Sequence, residues 1–389
     1  MFSASTSKSA CLKSLSLARS TVTYLRLHRI LSDGKMTFNR KRYTLRNFKR
    51  IIKTLLAIAL KPITHFMSRS QRLSKLYFSL FSSEFKREQH AVLSGHRAYQ
   101  RSLHHIGDSS VLLRRNIHRL EKGLIMRPRR SAFGKDYLNE TLDCYSRCLN
   151  AASIDRQELQ WAYDVLTAYF SVVDLSLPWL DKAYKRFCAL REPQKNSGYV
   201  PYRRSEGVKS ETSFEQFLTL CQQRRSVRWY QEKAVSMKVI EQAVQAASLA
   251  PSACNRQPFR FYTALQGKHV QDIASIAMGT AGFIHNIPAV IVVVGDLSAY
   301  PFERDRHVIY IDGSLAAMQL MLALETMGLS TCPINWPDIE EKERSLSLRL
   351  GLKPYERPIM LISVGYPDPE GMIPYSHKKS PSQLIKEVL

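Results

Sequence analysis

Two short stretches concentrate residues able to do chemistry. Arg224, Arg225, Ser226, Val227 and Arg228 set three guanidiniums and a hydroxyl within five positions. Guanidinium forks match phosphate oxygens and the serine adds a hydrogen bond, so the stretch reads as an anion site. Standing alone, it would read better as a solvated charge run. The second stretch, residues 250–259 (APSACNRQPF), is a polar loop framed by Pro251 and Pro258. Its Asn255 and Gln257 each carry a donor and an acceptor, and suit a planar edge that both gives and takes hydrogen bonds. Cys254 between them invites a redox role, but a small packing residue is the better reading, since free cysteine is among the most buried types.

The elements that must carry these stretches are legible around them. Phe214, Phe217, Leu218 and Cys221 are spaced as a short helix that delivers the arginines. Val239, Ile240, Ala243, Val244 and Ala247 predict a second helix ending at the polar loop, and residues 260–265 read as a strand. Upstream, residues 70–190 are mostly helical in pattern. Leu159, Ala162, Val165, Leu166, Tyr169 and Val173 form an apolar stripe behind an Asp155/Glu158 cap-like pair. A further helix is expected over 138–149. Residues 114–123 (RRNIHRLEKG) predict a charged helix ending at Gly123 as its C-cap, with His118 and Glu121 as a solvated pair rather than an acid and base. Residues 126–135 (MRPRRSAFGK) form a basic loop able to grip an anion.

Charge divides the chain. The net charge is +24, from 57 Lys+Arg against 33 Asp+Glu, yet residues 211–389 carry 18 of each. The whole excess therefore lies earlier, and residues 192–212, rich in Pro, Gly and Ser, have linker composition. The expected organisation is a basic leader of disordered composition at 1–45, a helical basic domain at 46–191, a linker at 192–212 and a further domain at 213–389. The leader fits a transit peptide, and it fits still better a chain whose translation begins at Met36. Residues 46–66 carry Ile51, Ile52, Leu55, Leu56, Ala59 and Leu60 at helical spacing, but the uncharged run between Lys53 and Lys61 is only seven residues. That is short of the roughly 20 needed to span a bilayer, so the stretch either packs internally or lies on an anionic membrane surface.

The seven cysteines are scattered, odd in number and lack CxxC spacing, as in a reduced, cytoplasmic protein. Cys144 and Cys148 have no further ligands nearby and read as packing residues rather than a metal site. No HExxH, GxSxG, P-loop or GxGxxG occurs.

RRSVR at 224–228 followed by APSACNRQPFRF at 250–261 closely resembles the FMN-dependent nitroreductase family. Further blocks follow in that family's order: 287–295 (IPAVIVVVG) as a buried strand and 312–329 as a long apolar core helix. After them come 330–336 (STCPINW) as a loop beside the flavin, 359–367 (IMLISVGYP) as the last main strand, and the basic His377, Lys378 and Lys379. The resemblance covers residues 213–389. It implies an α+β fold, an antiparallel-rich sheet flanked by helices, working as a homodimer with FMN at the subunit interface. By the same resemblance Arg224, Arg225, Ser226 and Arg228 hold the phosphate, ribityl chain and pyrimidine edge. Pro251, Ser252 and Asn255 line the ring system, and Pro333, Ile334 and Asn335 meet it near N5. Lys379, with Lys378 or His377, completes the phosphate clamp.

The implied activity is ping-pong hydride transfer from NADH or NADPH through flavin N5 to a small acceptor, with no side-chain catalyst and no metal. The alternative is a flavin-binding or tethering module that has lost turnover. Two departures leave the substrate class open: Trp336 stands near the position where many members carry glycine in the N5 loop, and the stretch between Gly295 and Asp312 lacks a helical insertion. Residues 118–124 (HRLEKGL) are similar to a stretch in N-terminal extensions that precede nitroreductase modules in bacterial proteins linked to surface polysaccharide synthesis. The expected setting is cytoplasmic and peripheral to an anionic membrane or polymer, with no specific nucleic acid.

Overall fold

The computed structural model describes residues 62–190 and 197–388. The leader at 1–45, the amphipathic stretch up to residue 61 and part of the linker fall outside the described residues. Among the described residues, those up to Ser83 and those from Glu84 onward fall into two compact units. In the first, residues 62–67 are helical and α1 (Gln71–Leu80) follows, its N-cap Ser70 accepting from the Leu73 N–H.

The second unit opens with five helices: α2 (Lys86–Ser102), α3 (Val111–Leu124), α4 (Leu138–Leu149), α5 (Arg156–Phe170) and α6 (Pro178–Cys188). Local chemistry sets their starts. Ser110 caps α3, Asp155 caps α5 by accepting from the Gln157 N–H, and Pro178 supplies a preset φ at the head of α6. Their apolar faces meet in one core containing Leu113, Ile117, Leu120, Leu142, Tyr145, Leu166 and Tyr169. Cys144 and Cys148 lie fully buried within it. Gly123 is not the cap expected of it, because α3 runs on to Leu124. Its place is fixed by packing instead: a Cβ there would stand 2.1 Å from the Phe133 ring.

The rest of the unit is built on a four-stranded sheet in the order β1-β2-β4-β3, formed by β1 (Phe259–Ala264), β2 (Ala289–Asp296), β3 (Ser330–Asn335) and β4 (Glu356–Gly365). Every neighbouring pair is antiparallel. From Ala289 to Gly295 β2 is buried on both faces, which is why it reads as an unbroken apolar run. One face packs on α8 (Met237–Ala247) and α10 (Val308–Thr326), the other on α9 (Gly267–Ile276) and α11 (Glu340–Leu350). The architecture is the α+β class expected.

Residues 330–335 depart from the loop expected there. They form the edge strand β3, where β-branched Thr331 and Ile334 suit pairing with β4 and the missing N–H of Pro333 is tolerated. Helix α10 starts a turn earlier than expected. It is apolar on all sides, and Ile309, Ala316, Ala317, Leu320, Met321 and Leu324 face the core. Ile311, Leu315 and Met318 are 58%, 45% and 39% exposed on the other side.

The helical part is docked onto the sheet part. Ala91 and Val92 of α2 pack with Leu297, Ala299, Tyr300 and Ile309. The short stretch after Gly295, a 3-10 turn at Leu297–Ala299, is thus the seat of α2. The change of composition at 192–212 falls inside this compact unit.

Candidate functional site

The arginine stretch begins where α7 (Phe214–Gln223), closed at its start by a Ser213/Gln216 capping box, ends at Arg224. The chain then runs beside the edge strand. Ser226 pairs with Thr331, and the Val227 N–H donates to the Thr331 carbonyl at 3.0 Å. Tyr230 pins it from below: its hydroxyl donates to the Val227 carbonyl at 2.8 Å and meets Ser363 Oγ at 2.7 Å. Asn286 brackets the same residue, accepting from the Tyr230 N–H at 2.6 Å and donating to its carbonyl at 2.9 Å. Burial raises the Tyr230 hydroxyl well above the ordinary phenol range, so it stays a neutral strut.

With the backbone held, the side chains gather. Arg224 Nε and Thr331 Oγ1 are buried and have no hydrogen-bond partner among the described residues. Arg225 donates to the Pro374 carbonyl at 2.7 Å and to that of Tyr375, which draws the C-terminal tail to the motif. Tyr375 stacks on His377, and Lys378 and Lys379 continue the tail, both exposed. Arg228 donates to the Ser226 carbonyl at 3.3 Å and lies over the Phe283 ring. The Cys332 thiol sits close enough to feel this cluster: burial pushes it up, while Arg228, Ser226 and Arg224 pull it back.

Along β3 the side chains alternate. Pro333 and Asn335 face outward, whereas Ile334 lies in the core with Val290, Val292 and Leu361. Trp336 is also buried, its Nε1–H donating to Glu343 Oε1 at 2.7 Å. Glu343 in turn faces Arg357, a guanidinium only 2% exposed that also pairs with Asp338 at 2.6 Å. Burial pushes Glu343 up, and Arg357 and Trp336 oppose that shift.

The polar loop after α8 has an unusual backbone. Cys254, Asn255 and Gln257 take left-handed φ values of 54°, 52° and 50° with no glycine among them. Ser252 Oγ accepts from the Gln257 N–H at 3.1 Å, and Gln257 Nε2 donates to the Ser248 carbonyl at 2.6 Å. Asp312 on α10 accepts from the Ala253 N–H at 2.9 Å. From α3, Arg114 donates to the Asn255 carbonyl at 3.0 Å and to Gln257 Oε1 at 3.1 Å.

Within one chain, these features fall into two groups. The loop with Pro251, Ser252 and Asn255 is tied to Asp312 near the start of α10. The arginine stretch lies at its other end, where Gln223 donates to Glu325 and Arg224 acts on the same carboxyl. Asp312 and Glu325 are separated by about 20 Å along the helix axis. Asp312 and Arg114 were not singled out from sequence. Asp312 carried a signal, being an acid in an otherwise apolar helix; Arg114 sat in a charged run and carried none. No cluster of three or more metal-ligating side chains occurs among the described residues.

Residues 221–282 and 263–366 match the pattern that describes the Nitroreductase family. A protein of Archaeoglobus fulgidus, provisionally named an NADH dehydrogenase/NAD(P)H nitroreductase, is 31% identical over 158 residues, covering 40% of this chain and 88% of its own. Iodotyrosine deiodinase 1 of Pongo abelii is 24% identical over 251 residues, 54% of this chain and 85% of its own. Among solved structures, a provisionally named nitroreductase of Desulfovibrio desulfuricans in complex with FMN covers 44% of this chain and 96% of its own at 24% identity, with a TM-score of 0.38.

Proposed function

The chain belongs to the nitroreductase family, and on that premise we propose that it is an FMN-dependent oxidoreductase, reduced by NADH or NADPH and reoxidised by a small acceptor. One observation carries the reading: among the described residues Arg224 holds a buried Nε–H with no partner, and the Thr331 hydroxyl, on the residue that Ser226 pairs with, is equally unpartnered. A buried donor left unsatisfied is costly, and a phosphate oxygen is the partner a guanidinium fork suits best. Arg225, Ser226 and Arg228 add donors of the same kind, and Lys378 and Lys379 follow on the tail that Arg225 holds.

Bound FMN supplies a ring able to take a hydride from the nicotinamide and return the electrons to a second substrate. The chain's own part is binding and orientation. Pro251, Ser252 and Asn255 form a wall with donor and acceptor groups. Pro333 and Asn335 present the outward side of β3, and Ile334 contributes through its backbone, since its side chain is in the core.

The separation of the two groups along α10 supports a homodimer, in which the loop of one subunit faces the arginines of the other. The exposed stripe of Ile311, Leu315 and Met318 supports it too, because a contiguous apolar strip on a soluble surface marks a contact. Residues 303–326 are long and apolar enough to cross a membrane, but this helix packs on the sheet and its far side is better explained by a second copy.

A peripheral contact with an anionic membrane is also part of the proposal. Residues 62–83 contain no acid, carry Arg69, Arg72 and Lys75, and expose Phe66, Leu76, Leu80 and Phe81.

The test is reconstitution of the full-length protein with FMN, then anaerobic addition of NADH or NADPH while the flavin absorbance is followed. Bleaching with either nicotinamide is expected, with a dimeric mass in solution. Protein that cannot retain FMN would sink the reading. Flavin that stays oxidised with both would point to a binding module without turnover.

A further inference from the structure

We infer that the helical part of the chain supplies a positioning residue for the cofactor loop: Arg114 of α3 holds residues 253–257 in the shape that meets the flavin. The inference rests on the proposed FMN site, and its test separates the two.

The loop needs holding. Three residues with side chains, Cys254, Asn255 and Gln257, occupy the left-handed region where only glycine sits without penalty. Asparagine tolerates it, but cysteine and glutamine gain nothing from it locally. Contacts from outside must therefore impose the conformation. Asp312 and Ser248 contribute one each, through the Ala253 N–H and the Gln257 side chain.

The guanidinium of Arg114 contributes more, because each of its three nitrogens makes a hydrogen bond. Nε donates to the Asn255 carbonyl at 3.0 Å and Nη2 to Gln257 Oε1 at 3.1 Å, so one planar group grips two of the three strained residues. Its remaining nitrogen, Nη1, pairs with Glu158 Oε2 at 3.0 Å. That carboxylate is itself fixed, accepting from the Ser110 N–H at 2.8 Å and the Ser109 hydroxyl at 2.7 Å, and its side chain is 4% exposed. The Trp161 ring backs the guanidinium at 5.4 Å. Arg114 is thus aimed from α3, backed by α5, at one backbone carbonyl and one side-chain oxygen of a loop that belongs to the sheet part. A lysine in its place keeps a charge against Glu158 but offers a single ammonium that cannot fork to both loop acceptors.

The experiment compares the full-length protein with Arg114→Lys and Arg114→Ala. Lysine is the main variant because it leaves Glu158 a charged neighbour and so spares the helical core. Two quantities are read: the FMN dissociation constant, from quenching of flavin fluorescence, and amide hydrogen exchange of residues 251–258 without flavin. Arg114→Lys should still fold cooperatively with a modestly lower melting temperature, exchange these amides faster, and bind FMN at least about tenfold more weakly, the scale of a lost charge-assisted hydrogen bond. Loop exchange equal to that of the parent protein would overturn the inference, whether or not FMN affinity fell. Faster exchange in a protein whose parent does not bind FMN would leave Arg114 as the anchor and overturn the flavin reading instead.

Discussion

Asp312 Oδ2 accepts the Ala253 N–H at 2.9 Å and the Tyr300 hydroxyl at 3.3 Å, so one carboxylate joins the core helix to the polar loop after α8. Burial pushes this carboxyl above its ordinary value, with the two donors pulling it back. Over the interval between its unfolded and folded values the native state binds more protons than the unfolded one. Stability should therefore fall as pH rises through that interval. Asp312→Asn removes the titration and should flatten that slope in thermal melts. Asp312→Ala leaves the Ala253 N–H unpaired and should cost about 1–3 kcal/mol.

Arg224→Ala should weaken FMN binding by roughly 10- to 100-fold, the worth of a hydrogen bond to a charged group. The apo protein should melt no lower, because the substitution also removes a buried donor that had no partner. Flavin titration and calorimetry of the same preparations check both signs. A matching drop in apo stability would mean that Arg224 is structural.

Trp336→Phe tests whether the indole is there for its N–H. The bond to Glu343 at 2.7 Å goes to a carboxylate 1% exposed, so its loss should cost about 1.5–3 kcal/mol. Glu343 then keeps Arg357 as its counter-ion. Chemical denaturation at neutral pH reads the loss; a variant as stable as the parent would show the bond to be incidental.

Arg87 of α2 holds Glu340 of α11 through two bonds, 2.7 and 2.6 Å. This brings the Glu340 carboxyl down to about 2, chiefly through the Arg87 hydrogen bond. The folded value is depressed, so the contribution is present above the ordinary glutamate value and fades as pH falls toward 2. The Glu340 side is exposed and Arg87 is half-buried, so Arg87→Met should cost no more than about 1 kcal/mol, and less in high salt. Melting curves across pH 2–5 at two ionic strengths test it.

Gly95 lets α2 approach the turn at Leu297. A Cβ there would stand 2.9 Å from Leu297 backbone atoms, which cannot swing aside as a side chain would. Gly95→Val should therefore cost about 1–3 kcal/mol by overpacking. Hydrogen exchange should rise at 297–300 while the helical core around Leu142 and Leu166 stays protected.

By itself, the sequence determined the local matters: which stretches cluster guanidiniums and amides, which segments are helical and that 289–295 is a buried strand; the α+β class came with the family resemblance. Capping residues, apolar periodicity and clustered arginines act over a few neighbours, so they are readable without a partner. Only the tertiary structure decided what each face meets. Glu158 reads as a first-turn acid of α5 but serves as the buried seat of Arg114. Ile334 reads as a neighbour of the flavin, yet the alternation of β3 turns it into the core. Glu121, expected in solvent, accepts the Trp161 indole N–H as well as facing His118. Arg114 lies far from Asn255 along the chain, and no spacing rule links them. Periodicity specifies that a face must be covered, whereas the covering residue is chosen by packing among segments distant in sequence.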